Sequence, residues 1–393
     1  MEYIEFLFWS SVSLILYSYL FYPIILYILS RLFDKGDIST SDLEQSEKSN
    51  SYFPCVSVVI SAFNEEDYIE RRITNLLSLN YPADKFHILI ASDGSTDKTN
   101  EIIQRLDDPR LSTFCFKENR GKINVLNDML SRVKTEITVF SDANTMFDLN
   151  ALVHLTQPFS NDKVGAVCGE LHLIDNYSGD NKDSLYWKYE QFLKYHESRL
   201  DGLLGANGGI YAIRTNCYEP LPTNTIIDDF LIVMNVAKLG LKINYCKDSQ
   251  AFEEIAPSLQ EESNRRVRIG AGNYQSLSRL VWLLNPKYKW RCFTYISHKV
   301  IRWFVPHLMI ATLLCNFILV FSDNALYGYI LFFHLGFYGM WCLGRLKIFA
   351  NVPYLGGIIA LITFFVSMNV SLFRGYLKFL TTNLSATWQR TSR

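Results

Sequence analysis

The sequence predicts an α/β domain with a parallel or mostly parallel sheet, flanked by helices that cross a membrane. Short Val/Ile-rich runs alternate with amphipathic stretches between Cys55 and Phe140, which is the signature of strands and covering helices. Apolar runs at both ends of the chain are long enough to span the hydrocarbon layer. Polar clusters recur where each strand-like run stops, which is where open α/β sheets collect ligands.

The chain has 393 residues, of which 49% are hydrophobic, and the excess lies at its ends. Residues 4–29 form an almost unbroken apolar and aromatic run. Glu2 and Glu5 precede it in place of a basic region and no small-residue cleavage site follows, so it reads as a retained anchor. Residues 301–321, 325–343 and 352–373 are three further spans. Arg31 and Lys35 follow the first span, His298, Lys299 and Arg302 precede the second, and Arg345 and Lys347 follow the third. That bias places the intervening domain in the cytoplasm of a multi-pass protein of the cell (inner) membrane. Four full crossings would put Arg374, Lys378, Arg390 and Arg393 on the opposite side. The last segment, with Pro353 and Gly356-Gly357 near its start, is therefore open between a crossing and a re-entrant or broken hairpin.

A net charge of −1 argues against a broad electrostatic surface for nucleic acid. Eight cysteines stand singly, without Cys-x-x-Cys spacing, so neither a disulfide framework nor a cysteine metal cluster is expected. Residues 34–51 are polar and aperiodic and read as a linker.

The soluble domain opens with a buried-strand pattern at 55–61 and a helix at 67–79 that ends before Tyr81-Pro82. Strand 87–91, helix 98–106, strand 111–116, helix 123–132 and strand 137–140 follow. Asn64-Glu65-Glu66, Asp93, Arg120-Gly121-Lys122 and Asp142 each sit just past one of these strands.

Asp93-Gly94-Ser95-Thr96-Asp97 reads as a turn and helix cap, or as a fixed carboxylate accepting hydrogen bonds from a nucleotide base. Arg120-Gly121-Lys122 is a basic turn whose place at a helix start favours phosphate. Asp142-Ala143-Asn144 is an Asx turn or a short oxygen-ligand loop for Mg2+ or Mn2+, with Asn144 offering only a neutral oxygen. Asp228-Asp229 opens a helix that ends at Gly240. The pair complements the helix dipole, or divides into an anchor and a general base, with Asp229 the expected base and Asp228 the alternate. Asn264-Arg265-Arg266-Val267-Arg268 is a membrane-surface cluster or a donor set for a departing diphosphate. The amphipathic stretch 186–200, with Trp187, Tyr189, Glu190, His196 and Glu197, packs beside an acceptor path or is core with a solvated face.

Taken in order, Asn64-Glu65, Asp93 to Asp97, Gly121-Lys122, Ser141 to Asn144, Gly205-Ala206-Asn207-Gly208-Gly209, Asp228-Asp229 and Arg265 to Arg268 resemble the membrane-embedded family 2 glycosyltransferases, the group of cellulose, chitin, hyaluronan and poly-N-acetylglucosamine synthases. The resemblance covers residues 56–275. It implies a GT-A (Rossmann-like) fold, a nucleotide-sugar donor that is usually UDP-linked, a divalent cation (Mg2+ or Mn2+) and inversion at the anomeric carbon. It places Ala62, Asn64, Glu65, Asp93, Lys122, Asp142 and Arg265 along the nucleotide, and Asp142 with Asn144 at the metal and diphosphate. It also places Asn207 and Gly208 near the acceptor, Asp229 and Asp228 at the chemistry, and Arg268 at the leaving diphosphate. Two positions depart from the pattern. The metal motif's second carboxylate is Asn144, and Gln-x-x-Arg-Trp is replaced by Arg265-Arg266-Val267-Arg268-Ile269, which removes a support for processive polymerisation but not for transfer.

The expected organisation is an N-terminal membrane helix at 1–33, the linker, a catalytic domain at 52–275, an interfacial segment at 276–295, membrane helices at 296–376 and a tail at 377–393. The expected partners are a nucleotide-sugar, a glycan or lipid-linked acceptor and the membrane, together with polysaccharide-assembly proteins or a second copy of the chain.

Overall fold

The structure is a computed structural model that describes residues 1–34, 52–174, 185–254, 259–346, 348, 352 and 354–382. The expected linker beyond Asp34, Lys347, Pro353 and the tail beyond residue 382 lie outside the described residues.

The chain begins with α1 (Glu2–Leu32), which contains a π-helical turn at Tyr17–Phe21. An alternating series follows: β1 (Val56–Ala62), α2 (Ile69–Leu77), β2 (Phe86–Asp93), α3 (Thr99–Arg105), β3 (Leu111–Phe116), α4 (Lys122–Leu130) and β4 (Ile137–Ser141). The second half contains β5 (Thr145–Phe147), α5 (Ala151–Thr156), β6 (Val164–Ile174), α6 (Leu185–Arg199), β7 (Tyr211–Arg214), α7 (Asp228–Lys238) and β8 (Lys242–Glu254). The chain continues through α8 (Leu259–Arg279), α9 (Trp290–Leu319), α10 (Leu326–Arg345) and α11 (Leu355–Thr381).

The strands form one eight-stranded sheet in the order β3-β2-β1-β4-β7-β6-β8-β5. β1 pairs in parallel with β2 and β4, and β2 with β3. Beyond β4 the sheet is mixed. β7 runs antiparallel to β4 and β6, β5 runs antiparallel to β8, and β6 and β8 are parallel. The expected parallel or mostly parallel sheet is present: the four strands read from sequence pair in parallel, as do β6 and β8, and β7 and β5 add the antiparallel pairings. Every residue of β1 is buried, as suits a strand covered on both faces.

The chain divides into two compact units. One comprises Leu26–Glu261 and Trp282–Thr294 and contains the sheet. Its core joins Val56, Val58 and Ile60 of β1, Ile69, Ile73 and Leu76 of α2, and Ile88 and Ile90 of β2, all at 0% exposure. The other comprises Met1–Ile25, Glu262–Val281 and Tyr295 onward. Within it, Phe8, Cys315, Leu319 and Tyr327 pack together, and Trp341 Nε1 donates to Ser367 Oγ at 3.1 Å. α8 meets α11 at a glycine pair, where a Cβ on Gly375 would stand 2.7 Å from Gly270. Small residues of this kind let apolar helices approach closely.

Among the described residues four helices are long and apolar enough to cross a membrane: α1, α9, α10 and α11. α11 runs unbroken through its 27 residues, so the last apolar segment is a single helix and not a broken hairpin.

Ile60 lies fully buried in the central strand. Ile60→Ala is expected to destabilise the sheet unit by about 2–5 kcal/mol through lost transfer energy and an unfilled cavity. A lowered thermal midpoint of the detergent-solubilised protein is the check.

Candidate active site

The loops that follow β1, β2 and β3 are laced together by side-chain caps. Asn64 adopts φ +56°, its N–H donates to Ser95 Oγ at 3.0 Å, and its Oδ1 accepts from Thr96 N at 2.8 Å. Glu65 N donates to Thr99 Oγ1 at 2.8 Å. Gly94, at φ +72°, lies so near the third loop that a Cβ there would sit 2.5 Å from Asn119 N. Ala62 ends β1 fully buried, paired with Ser92 of β2.

Asp93 is fully buried, and its two carboxylate oxygens accept from Arg120 N at 3.0 Å and Gly121 N at 2.8 Å. The carboxylate read from sequence as an acceptor for a base is, in this structure, the pin of the basic turn. Gly121 then hands the chain to α4, whose first residue is Lys122.

The chain carries three acidic stations, Asp93 past β2, Asp142 past β4 and the Asp228-Asp229 pair at the start of α7, and Lys122 joins the last two. Its Nζ lies 2.9 Å from Asp142 Oδ1 and 3.3 Å from Asp228 Oδ2. Burial alone would lower its pKa, but Asp142, Asp228 and Asp229 outweigh that and hold the ammonium well above the usual lysine range. Asp229 is raised to about 6, first by burial and then by Asp228, with Lys122, the Phe230 N–H and Lys194 pulling it down. Phe230 N donates to Asp229 Oδ1 at 2.8 Å.

Gly208 sits between the stations. A Cβ there would meet Asp229 Oδ2 at 3.4 Å and Asp142 Oδ2 at 3.9 Å, so its hydrogen keeps a gap beside both carboxylates. Neighbouring Asn207 is 6% exposed, and its amide is engaged within the protein. Nδ2 donates to Gly169 O at 2.8 Å, and Oδ1 accepts from Lys194 Nζ of α6. Trp187 Nε1, also on α6, donates to Leu171 O at 2.6 Å, so the amphipathic stretch packs on β6 and the Asn207 turn. Tyr211 stacks on Phe140 with centroids 4.6 Å apart. Burial, then Asp228 and Asp229, keep its hydroxyl protonated.

The donor set for a divalent ion is sparse. Asn144 is 4% exposed and its Nδ2 donates to Glu253 Oε1 at 3.1 Å, which leaves its carbonyl oxygen as the atom it could offer. Among the described residues no group of three or more His, Cys, Asp or Glu side chains gathers for a metal. Asp142 still suits Mg2+ or Mn2+, which are commonly held by one or two carboxylates with substrate phosphates completing the shell.

The structure brings Asp142, Asp228, Asp229, Lys122 and Gly208 together and ties Asp93 to that group through Gly121. Arg265 and Arg268 lie on α8, in the helical unit. Sequence reasoning missed Lys194 and Arg72. Arg72 had a legible signal, since it takes the i+3 place in the Ile69-Ile73-Leu76 apolar stripe. Lys194 had none, because its contact depends on a turn distant in sequence.

Residues 57–215 match the model for glycosyl transferase family 2. The chain is 26% identical over 259 residues to a poly-beta-1,6-N-acetyl-D-glucosamine synthase of Staphylococcus aureus, covering 62% of this chain and 58% of that protein. It is 25% identical over 291 residues to the synthase of the same name from Staphylococcus epidermidis, covering 67% and 66%. The matched region thus spans less than two thirds of the length of these relatives. The fold is similar to that of the mannosyltransferase PcManGT from Pyrobaculum calidifontis, solved with GDP-Man and Mn2+. The TM-score is 0.66 at 17% identity, over 95% of this chain and 99% of that one. The mixed sheet with its helical C-terminal region is a GT-A fold.

Gly94→Ala is expected to destabilise the converging loops by more than about 1–2 kcal/mol, because a left-handed dihedral and a backbone clash act together. A lowered thermal midpoint, with faster protease cleavage around residues 94–120, is the check.

Proposed function

We propose that this chain, whose residues 57–215 match the glycosyl transferase family 2 model, is an inverting glycosyltransferase using a nucleotide-sugar, of the UDP class, to build a surface polysaccharide or its lipid-linked repeat unit. The observation that carries this reading is the Lys122 bridge between Asp142 and Asp228, with Asp229 alongside at the gap left by Gly208. A diphosphate needs fixed positive charge, and an attacking hydroxyl needs a carboxylate of raised pKa. Both are present within one cluster.

In the proposed reaction Asp229 accepts the proton of the acceptor hydroxyl while that oxygen attacks the anomeric carbon. The bond from that carbon to the diphosphate oxygen breaks on the opposite face, in one in-line displacement, and Lys122 meets the charge that develops on the departing nucleoside diphosphate. Asp142, with the Asn144 carbonyl, would hold Mg2+ or Mn2+, which supplies charge neutralisation at the diphosphate. PcManGT, similar in fold, was solved with GDP-Man and Mn2+, which supports a divalent ion here. Asp93 and the laced loops keep Lys122 and the turn before it in register. We place the catalytic unit in the cytoplasm, supported by Arg31 and Arg345 at the ends of α1 and α10 and by His298, Lys299 and Arg302 in the first half of α9.

A second reading, processive synthesis, is favoured by the similarity to the staphylococcal poly-beta-1,6-N-acetyl-D-glucosamine synthases. Chain length of the product made by purified protein from one donor separates the two.

The deciding experiment is a screen of nucleotide-sugars for nucleoside diphosphate release by detergent-solubilised protein, with and without Mn2+. Release from no donor at all would overturn the reading. Asp229→Asn is expected to lower transfer by about a hundred- to ten-thousandfold while Mn2+-UDP binding persists. Because Asp229 must be ionised to take a proton and its pKa is raised to about 6, the transfer rate should climb as pH passes upward through about 6 and level off near neutrality. A pH–rate profile with no acid limb would contradict the assignment.

A further inference from the structure

Arg72 of α2 is a charged residue at 0% exposure, set in an otherwise apolar stripe. Among the described residues no carboxylate lies within ion-pair distance of it. Its Nη2 donates to Ser141 Oγ at 2.8 Å, its Nη1 donates to Asn75 Oδ1 at 2.7 Å, and its Cζ lies 4.2 Å from the centroid of the Phe147 ring. Its Nε has no hydrogen-bond partner among the described residues.

Each of these contacts leads to the active-site frame. Ser141 is the last residue of β4, directly before Asp142, and its Oγ donates to Gly209 O at 2.8 Å. Asn75 closes a two-way amide pairing with Phe147, whose N–H donates to Asn75 Oδ1 at 2.8 Å and whose carbonyl accepts from Asn75 Nδ2 at 2.9 Å. One guanidinium therefore governs the end of β4, the short strand β5 and the turn holding Gly208.

A stability requirement alone does not account for it. Burying an unpaired cation costs several kcal/mol, and apolar replacement of buried charge is often neutral or stabilising, so a methionine would serve the packing. Burial draws the Arg72 pKa down to about 9 against the pull of Asp142, and the group remains a cation at neutral pH. Its charge thus stands behind the strand end on which Asp142 must stay ionised.

We propose that Arg72 is a positioning residue for the donor diphosphate, fixing Ser141 and Gly209 so that Asp142 and the Gly208 turn are set before the nucleotide arrives. This inference rests on the transferase reading above.

The test uses full-length protein in detergent, Mn2+ with UDP and in parallel GDP as probes, and calorimetric affinity alongside thermal midpoints for Arg72→Met, Arg72→Lys and Ser141→Ala. Arg72→Met, which removes the hydrogen bonds to Ser141 and Asn75, is expected to bind the nucleoside diphosphate about tenfold more weakly at an unchanged or higher thermal midpoint. Arg72→Lys, keeping charge without the fork, should fall between it and the natural protein, and Ser141→Ala should lose affinity too. Natural affinity in Arg72→Met overturns the proposal. So does a fall in affinity that simply tracks the fall in midpoint across the three variants. If Arg72→Met does not fold, natural affinity in both other variants overturns it. Failure of the unsubstituted protein to bind either nucleotide would instead overturn the transferase reading.

Discussion

Charge compensation at Lys122 is the interaction on which the catalytic unit depends. Three aspartates from two distant segments, Asp142 and the pair Asp228-Asp229, lie close enough to repel one another in a partly desolvated site. Without a cation among them, one or more would be driven to the neutral acid. Lys122 sits at 2.9 Å and 3.3 Å from two of them, so the strand-end loop and the start of α7 are joined by electrostatics and not by backbone pairing. The remaining architecture can be understood as what keeps Lys122 there. Asp93 pins the turn before it, Gly94 lets the neighbouring loop approach, and the caps on Asn64 and Glu65 fix the loops to each other.

That arrangement separates the roles of two adjacent residues. Asp228 has its carboxylate on Lys122, whereas Asp229 has one oxygen on the Phe230 amide and the other toward Gly208. Neighbouring side chains on a helix point in different directions, so a doubled acidic residue at a helix start can serve structure and chemistry at once. Burial and Asp228 raise Asp229 to about 6, a value suited to a base that must be ionised near neutral pH yet still attract a proton.

The parallel half of the sheet was legible because its code is local. Fully buried strands of Val and Ile followed by amphipathic helices can be recognised without knowing any partner, and β1 to β4 were found close to their true bounds. The mixed half was not. β6 carries Gly165, Gly169, Glu170 and His172 among its apolar residues, and β5 has three residues, so neither gives a clean period. Site residues split on the same ground. Asp142, Asp228, Asp229 and Lys122 lie at strand ends or helix starts, where function has a positional rule, and they are found together. Lys194 reaches Asn207 from a helix face whose pattern shows only packing. Arg72 interrupts the apolar stripe of α2, and its burial depends on partners in β4 and β5 that no local pattern announces.

The charge balance also bears on how a donor can enter. Asp142, Asp228 and Asp229 share the cluster with Lys122 and the more distant Lys194, with the Arg72 guanidinium behind Asp142, so the carboxylates are about balanced before any ligand arrives. A nucleoside diphosphate brings further negative charge into this basin. Lys122 cannot neutralise it alone while bonded to two carboxylates. The diphosphate must therefore arrive with a cation or displace Lys122 from one aspartate. Asp142 is the carboxylate best placed to exchange partners, being 32% exposed in its side chain against 14% for Asp228. On that reasoning Asp142 would be the carboxylate to hold a divalent ion, which would supply charge neutralisation there, and Lys122 would be left to meet the leaving phosphate.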